Sequence, residues 1–227
     1  MKKLVVVLVS LVFGIVVMNA QEGKSSWYER DLTLSLNVRT GTNYAPIFGA
    51  KLSDFGFFSM VDLAHKSGFG VGYYRLDDFT KETMGRVGFV DLYWAGSLAK
   101  NLSLYAAAEY GWFDNWKDGR FVSPYAIVSY QLRSWTVSVA PVYLYYDRLP
   151  EDNHQVLIKM EISKEIFKGT SIRGAGWYDN FNPQKLHYAA GITQNLPANT
   201  YVSVDGILRP GGENFVAVGF GWTFSSK

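Results

Sequence analysis

Cysteine is absent from the 227-residue sequence, so the chain can form neither a disulfide nor a thiolate metal site. The same absence excludes a lipid anchor on an N-terminal cysteine. Proline is scarce, with 7 residues, whereas glycine is plentiful at 22 and aromatic residues make up 16% of the chain. This composition favours β-strands and tight turns over a helical bundle.

The sequence also lacks an apolar run of the ~20 residues that a spanning helix requires. Its longest apolar run, Leu4–Met18, follows two lysines and is typical of a secretory signal peptide. We therefore predict that residues 1–20 are a cleaved signal peptide and that residues 21–227 form a single domain. Without those two lysines the 22 basic residues fall to 20, which equals the 20 acidic residues. No excess of positive charge is left to attract nucleic acid, so we expect no nucleic-acid partner.

Apolar and polar residues alternate along most of the remaining chain, which is the pattern of β-strands with two different faces. In the first such segment, Leu32, Leu34, Leu36 and Val38 lie opposite Thr33, Ser35, Asn37 and Arg39. The alternation predicts about twelve strands, and ten or fourteen remain compatible with it. The predicted strands are 32–40, 55–64, 69–78, 86–96, 102–112, 121–131, 135–146, 154–164, 170–178, 186–194, 200–208 and 214–224. Glycines blur the alternation in 69–78 and 170–178, so the facing of these two strands stays open.

The lengths of the strands and of their links distinguish a membrane barrel from a soluble sandwich. Several strands match the ~9–11 residues that a tilted strand needs to cross a bilayer, whereas strands of soluble proteins have a mode of ~5–6 residues. Tight links such as HKSG alternate with longer polar links such as FDNWKDGR. Short turns at one rim and longer loops at the other are typical of up-and-down outer-membrane barrels.

A short motif, two aromatic residues followed by aspartate, occurs three times at the same end of alternate strands. The three copies are Trp112-Phe113-Asp114, Tyr145-Tyr146-Asp147 and Trp177-Tyr178-Asp179. Amphipathic rings at one height, followed by a carboxylate, are typical of the boundary between hydrocarbon and headgroups. A second set of aromatic residues lies at the other end of the strands, as expected for the two aromatic girdles of a membrane barrel.

The last strand, FVAVGFGWTF, has large apolar residues on one face and small residues on the other. Its Gly219, Trp222 and Phe224 resemble the C-terminal assembly signal of Gram-negative outer-membrane proteins. The strand pattern and this segment together resemble the outer-membrane β-barrel superfamily. That resemblance implies an all-β, up-and-down antiparallel transmembrane barrel in the cell outer membrane, with outer-membrane lipid and the barrel-assembly machinery as partners. An exported soluble sandwich is the alternative.

The face opposite the lipid-facing residues carries charged and polar side chains of both signs, which we expect to line the lumen. Arg75 is included because exposing an arginine to lipid costs about 2–4 kcal/mol near the midplane. Such charges can pair and fill the lumen, or they can line a water-filled path. The candidate lumen-lining residues are Asn37, Arg39, Asp62, Arg75, Asp91, Glu109, Lys159, Glu161, Arg173, His187 and Asp205.

No catalytic motif accompanies the three histidines, His65, His154 and His187. The sequence lacks the His-x-Ser-Asn type of segment found in barrel phospholipases, and it has no P-loop, dinucleotide fingerprint or histidine-rich metal cluster. We therefore predict no catalytic, cofactor-binding or metal-binding residues and no cofactor. The function favoured by the sequence is a narrow porin-like channel for small polar solutes. The alternatives are a non-conducting structural or surface-interaction barrel and, third, a barrel enzyme acting on lipid or peptide.

Overall fold

The computed structural model of the protein describes residues 31–45, 47, 50–78, 86–113, 119–147, 153–181, 185–210 and 213–226. The predicted signal peptide lies outside the described residues. Among the described residues, no helix is long and apolar enough to cross a membrane.

Twelve antiparallel strands follow one another around a closed barrel, each paired with its neighbours in sequence. They are β1 (Leu32–Ala45), β2 (Ala50–His65), β3 (Phe69–Asp78), β4 (Arg86–Ala99), β5 (Leu102–Phe113), β6 (Arg120–Leu132), β7 (Trp135–Tyr146), β8 (His154–Phe167), β9 (Thr170–Asp179), β10 (Leu186–Leu196), β11 (Thr200–Leu208) and β12 (Phe215–Ser225). The prediction of an up-and-down antiparallel barrel of about twelve strands is confirmed.

Pairing between β1 and β12 closes the barrel. The register runs from Ser35 opposite Ser225 to Gly41 opposite Gly219. Closure leaves no open strand edge, so backbone N–H and C=O groups need no partner from the surrounding hydrocarbon. With an even number of strands, β1 begins and β12 ends at the same rim, which we call the inner rim. The short turns after β2, β4, β6, β8 and β10 lie at this rim.

The hairpin of β1 and β2 extends further than the sequence predicted. The segment 41–54 was expected to be a loop, but β1 continues to Ala45 and β2 begins at Ala50. The alternation of apolar residues ends at Gly41, whereas the backbone pairing continues through register shifts near Asn43. Strand pairing needs only backbone hydrogen bonds, so it persists above the region where one face must be apolar.

Along most strands, side chains point alternately to an apolar exterior and to a buried interior. Leu92, Leu208 and Val216 point outward and are 64%, 59% and 61% exposed. A continuous apolar exterior would be an aggregation surface in water and is the expected surface of a barrel in lipid. In each of the three aromatic-aromatic-Asp motifs, one ring lies on the outer face and the other on the inner face. Trp112, Tyr145 and Tyr178 point outward and Phe113, Tyr146 and Trp177 point inward, so only one ring of each pair belongs to the exterior girdle.

The small residues on the inner face of β12 make room for side chains of its neighbours. A Cβ on Gly219 would lie 2.2 Å from Nε of Arg39, and a Cβ on Gly221 would lie 2.2 Å from the ring of Tyr201. Any larger residue at either position would displace a side chain that lies flat against the wall. The inner face of the last strand therefore has only small residues because Arg39 of β1 and Tyr201 of β11 lie across it.

Candidate functional site: the barrel interior

Ten of the eleven candidate lumen-lining residues lie on the inner face. This face is identified by the buried positions of each strand and by the residues that stand opposite one another in the register of neighbouring strands. The same pattern settles the two strands whose facing was open: even-numbered residues of β3 and odd-numbered residues of β9 point inward. The ten are Asn37, Arg39, Asp62, Asp91, Glu109, Lys159, Glu161, Arg173, His187 and Asp205.

Arg75 is the exception, and its prediction as a lumen residue is wrong. Its register partners, Ser59 of β2 and Gly88 of β4, both belong to the outer face. Arg75 Nη2 lies 3.1 Å from Oδ1 of Asp77, two residues further along the same face. The lipid-exposure argument fails here because Arg75 lies in the outer third of its strand, where a neighbouring carboxylate neutralises it.

One wall of the interior, formed by β2 to β6, carries a row of acidic side chains whose positions are linked by the register of neighbouring strands. Asp62 stands opposite Gly72, Gly72 opposite Asp91, Asp91 opposite Glu109, and Glu109 opposite Ser123. We call these five residues the acidic row. Asp91, Glu109 and Ser123 are 1%, 4% and 0% exposed. The acidic row thus places three carboxyl groups on one wall, two of them almost completely buried.

Tyrosine hydroxyl groups hold part of this row. The Tyr125 hydroxyl donates to Asp91 Oδ2 at 2.7 Å, the Tyr105 hydroxyl lies 3.4 Å from the same oxygen, and the Tyr93 hydroxyl donates to Asp62 Oδ2 at 2.9 Å. Among the described residues, no lysine, arginine or histidine lies within ion-pair distance of Asp62, Asp91 or Glu109. The row therefore receives hydrogen bonds from neutral groups and none from a cation of this part of the chain.

Aromatic side chains flank the acidic row on both sides. Towards the outer rim, Tyr74, Phe89, Gly111, Phe121 and Tyr146 form a second row across β3 to β7. The rings of Tyr74 and Phe89 stack with centroids 4.7 Å apart. Towards the inner rim, the rings of Tyr93 and Tyr105 stack at 4.9 Å, and Tyr125 lies 5.8 Å from Tyr105. The carboxyl groups are thus enclosed between two aromatic layers.

The opposite wall, formed by β8 to β11, balances its charges internally. Lys159 Nζ lies 2.6 Å from Oε2 of Glu161, which is 3.5 Å from Arg173 Nη1. Arg173 Nη2 and Nε both lie 2.8 Å from Asp205 Oδ1. We call these four residues the paired network. Of the two arrangements considered from the sequence, ion pairing occurs here, but along one wall rather than across the lumen: within β8, between β8 and β9, and from β9 over β10 to β11.

Polar contacts at the β1–β12 seam involve Asn37 and Arg39. Asn37 Nδ2 donates to Thr223 Oγ1 at 3.1 Å, and the Tyr201 hydroxyl lies 3.4 Å from Asn37 Oδ1. Arg39 lies across Gly219, with Nη2 3.5 Å from the carbonyl oxygen of Thr42. Within the part of the chain that the structure describes, no carboxylate forms an ion pair with Arg39.

Apolar side chains form a collar in the outer part of the interior. The collar consists of Leu76, Val87, Phe121, Val142, Leu144 and Leu157. Ile47, from the connection between β1 and β2, packs against this collar, and its carbonyl oxygen accepts a hydrogen bond of 3.0 Å from Trp177 Nε1. The Trp177 ring in turn stacks on His187 at 4.9 Å. Ile47 is therefore held inside the barrel mouth.

Tyr93, Tyr125, Ser123 and Trp177 are interior residues that the candidate set omitted. The candidates are charged, amide or imidazole residues. Tyr93 shares the parity of Asp91 within β4, so parity was an available signal for Tyr93, whereas β6, which holds Ser123 and Tyr125, contains no candidate. Trp177 was instead assigned to the exterior girdle on its aromatic-aromatic-Asp motif. The contact with Ile47 has no signal in the sequence pattern.

The two histidines outside the lumen, His65 and His154, contact neighbouring hydroxyl groups. His154 contacts the Tyr143 hydroxyl on the outer face. His65 Nδ1 lies 2.7 Å from Ser67 Oγ, but the same nitrogen accepts a hydrogen bond from the Ser67 backbone N–H, as expected for a turn. Asp31, which would orient the imidazole, lies 4.0 Å from His65 and 2.9 Å from Lys66. Ser67, His65 and Asp31 therefore form the polar contacts of an inner turn.

Comparison with known proteins places the fold among outer-membrane barrels. No protein-family model matches the sequence, and no curated protein matches it. Among solved structures, the chain is similar to a KdgM porin, with a TM-score of 0.59 and 10% identity over 85% of this chain and 99% of the porin. It is also similar to the outer membrane phospholipase of Salmonella typhi, with a TM-score of 0.51 and 13% identity over 90% of this chain and 94% of the phospholipase.

At identities of 10% and 13% these likenesses concern the fold. The chain has the closed twelve-stranded barrel fold of outer-membrane β-barrel proteins, as its strand pattern and last strand indicated. The fold is common to a channel and an enzyme, so the function has to be argued from the interior side chains.

Proposed function

We propose that this protein is a narrow porin-like channel for small polar solutes in the cell outer membrane. The observation that carries the proposal is the polar interior of a closed barrel with an apolar exterior. Charged side chains lie on the inner face at the levels of the acidic row and of the paired network. A barrel of eight strands is filled by its own side chains and one of sixteen leaves an aqueous channel, so twelve strands suit a restricted path.

The apolar collar supports a narrow path over a wide one. Ile47 and the collar occupy the outer part of the interior, where a hydrated solute would have to pass. Apolar constrictions conduct weakly because water leaves them readily. The size limit of the channel is therefore assigned to the collar.

Conductance of the purified barrel in planar lipid bilayers tests the proposal. We expect small, discrete conductance steps in KCl and slow swelling of proteoliposomes in monosaccharides. Folded protein that inserts into vesicles but gives neither steps nor swelling would overturn the channel and leave the non-conducting structural barrel. Insertion is checked separately by heat-modifiable migration in SDS gels.

The proposal gives the chain no enzymatic role, although its fold is shared with a phospholipase. What supports this is the turn geometry of Ser67, His65 and Asp31 and the contact of His154 with a tyrosine. Release of fatty acid from phospholipid vesicles, or cleavage of a peptide library by the folded barrel, would contradict it.

We also propose that export by residues 1–20 and assembly by the barrel-assembly machinery deliver the protein to the outer membrane. Its support is the signal-peptide pattern together with Gly219, Trp222 and Phe224 in the last strand. Replacing Trp222 and Phe224 by alanine is expected to reduce the amount of barrel in outer-membrane fractions. Unchanged amounts would show that these residues are not an assembly signal.

A further inference from the structure

The acidic row contains more hydrogen-bond acceptors than the described residues satisfy. Asp91 Oδ1, Glu109 Oε1 and Ser123 Oγ are buried and have no hydrogen-bond partner in this part of the chain. They belong to β4, β5 and β6 at consecutive positions of one row. Buried polar atoms of folded proteins are almost always satisfied, so two carboxylate oxygens and a hydroxyl group without partners at neighbouring positions indicate a missing partner.

A cation would supply the missing partner. Two carboxyl groups side by side in a poorly solvated site are stabilised by a cation, and the described residues offer none to Asp62, Asp91 or Glu109. The interior between the rims is also acidic overall. Its carboxyl groups are Asp62, Asp91, Glu109, Glu161 and Asp205, against the cations Arg39, Lys159 and Arg173.

The surroundings of the row distinguish an organic cation from a metal ion. Among the described residues, no group of three acidic or imidazole side chains is close enough together to hold a metal. Instead, stacked rings border the carboxyl groups on both sides: Tyr74 and Phe89 towards the outer rim, and Tyr93, Tyr105 and Tyr125 towards the inner rim. Carboxylates hold ammonium groups through charge-assisted hydrogen bonds, and the rings beside them offer apolar surface to the carbon atoms of an organic cation.

We infer that the acidic row is a binding site for the ammonium group of a small organic solute. The three N–H donors of a primary ammonium match the oxygen atoms of Asp91, Glu109 and Ser123. The half-buried Asp62, two strands from Asp91 in the same row, is the carboxyl group that a solute would meet first. This inference deepens the proposed function and rests on it only for the path by which a solute reaches the row. Cationic amines are then the preferred solutes of the channel, and anions are disfavoured.

Two measurements on the folded full-length mature barrel test the site, with ethylammonium as the probe. The first is equilibrium binding of ethylammonium chloride in detergent, followed by intrinsic fluorescence of the interior aromatic residues. The second is the reversal potential under an ethylammonium chloride gradient in planar bilayers. We expect saturable binding and a reversal potential on the cation-selective side, with ethylammonium bound more tightly than K⁺.

Asp91→Asn/Glu109→Gln is the test variant, and Glu109→Gln alone is the milder version if the double variant folds poorly. We expect the affinity for ethylammonium to fall roughly tenfold or more, because charge-assisted hydrogen bonds become neutral ones. Glu161→Gln is the matched control, since it removes a carboxylate from the opposite wall. We expect it to bind ethylammonium as the unsubstituted protein does.

Each outcome has one meaning. Equal binding by the unsubstituted protein and the Glu109→Gln variant overturns the site, as does equal affinity for ethylammonium and K⁺, since the aromatic rows would then contribute nothing. A conducting channel that prefers chloride overturns the site and leaves the proposed channel intact. Saturable, row-dependent binding by a barrel that does not conduct supports the site and overturns the channel.

Discussion

The two charged walls of the interior use the same kinds of side chain in opposite ways. On β8 to β11, Lys159 and Arg173 each contact a carboxylate, so the paired network satisfies its own charges. On β2 to β6, Asp62 and Asp91 receive hydrogen bonds from tyrosine hydroxyl groups, and neither they nor Glu109 form an ion pair with a cation of the described chain. Burying an unpaired carboxylate lowers stability, whereas a paired one is close to neutral. The buried charges of β8 to β11 are therefore balanced within the fold, whereas those of β2 to β6 are not, and the proposed ammonium site accounts for them.

We expect the largest difference between the walls in the free energy of unfolding that is lost when one charge is removed from each wall. Arg173→Met leaves Glu161 and Asp205 without their shared cation, and breaking a buried pair in this way costs about 3–5 kcal/mol. Asp91→Asn takes away a charge that has no cationic partner and keeps an oxygen for the hydroxyl groups of Tyr105 and Tyr125. We expect its free energy of unfolding to change by less than about 1 kcal/mol. Equilibrium unfolding in urea from lipid vesicles, followed by tryptophan fluorescence, measures both.

A similar loss in both variants would show that Asp91 depends on a cation of the protein as much as Asp205 does. The contrast between the walls would then be wrong. A gain in stability for Asp91→Asn would strengthen the contrast, because replacing an unpaired buried charge by an isosteric neutral group removes its desolvation cost.

A second test pushes Asp205 out of the paired network by placing a larger residue beneath it. A Cβ on Gly191 would lie 1.7 Å from Asp205 Oδ1, so Gly191→Ala displaces the carboxylate from Arg173. We expect a loss of about 1–3 kcal/mol, the usual cost of overpacking. Gly206→Ala is the matched control on the neighbouring strand, since its Cβ would have its nearest neighbour, the Ala190 carbonyl oxygen, at 3.9 Å. Equal unfolding midpoints for the two variants would mean that the network tolerates displacement of Asp205.

The strands of this barrel could be predicted from the sequence because alternation reports directly which face is apolar. The predicted strand 102–112 and the observed β5 (Leu102–Phe113) differ by one residue, and residues 69–78 have identical bounds in the prediction and in β3. The β1–β2 hairpin was underestimated because its upper part pairs through the backbone without an apolar face. The facing of β3 could not be predicted, since Gly70 and Gly72 give no polarity signal.

The candidate site was predictable only in part, because alternation gives a face but not a register. Asp62, Asp91 and Glu109 could each be placed on the inner face from the sequence. That they belong to one row follows only from the register of four paired strands. The partition into an unpaired and a paired wall depends on that register. Arg75 was misplaced because an argument for the bilayer midplane was applied to a residue near the rim.

A smaller effect is expected at the mouth, where the first outer connection meets the wall of the paired network. Trp177→Phe keeps an aromatic ring to stack on His187 but removes the hydrogen bond to the Ile47 carbonyl oxygen. Losing a hydrogen bond of about 1 kcal/mol makes displacement of Ile47 about five times more frequent. We expect a larger single-channel conductance in bilayers. Trp135→Phe, at the inner rim, is the control and should conduct as the unsubstituted barrel does. A conductance unchanged by Trp177→Phe would mean that Ile47 does not restrict the path.

The smallest effect is expected on the exterior, where Arg75 and Asp77 form a charge pair of a third kind. Asp77→Asn leaves Arg75 facing the lipid near the outer rim, where exposure of an arginine costs at most about 1 kcal/mol. We expect a loss of that size in the free energy of unfolding. The double variant Arg75→Gln/Asp77→Asn should recover most of the loss, because Arg75 then has no charge to balance, whereas Arg86, with Nε 3.8 Å from Asp77 Oδ1, keeps its charge in both variants. A double-mutant cycle without coupling would show that Asp77 does not neutralise Arg75, since independent sites contribute additively.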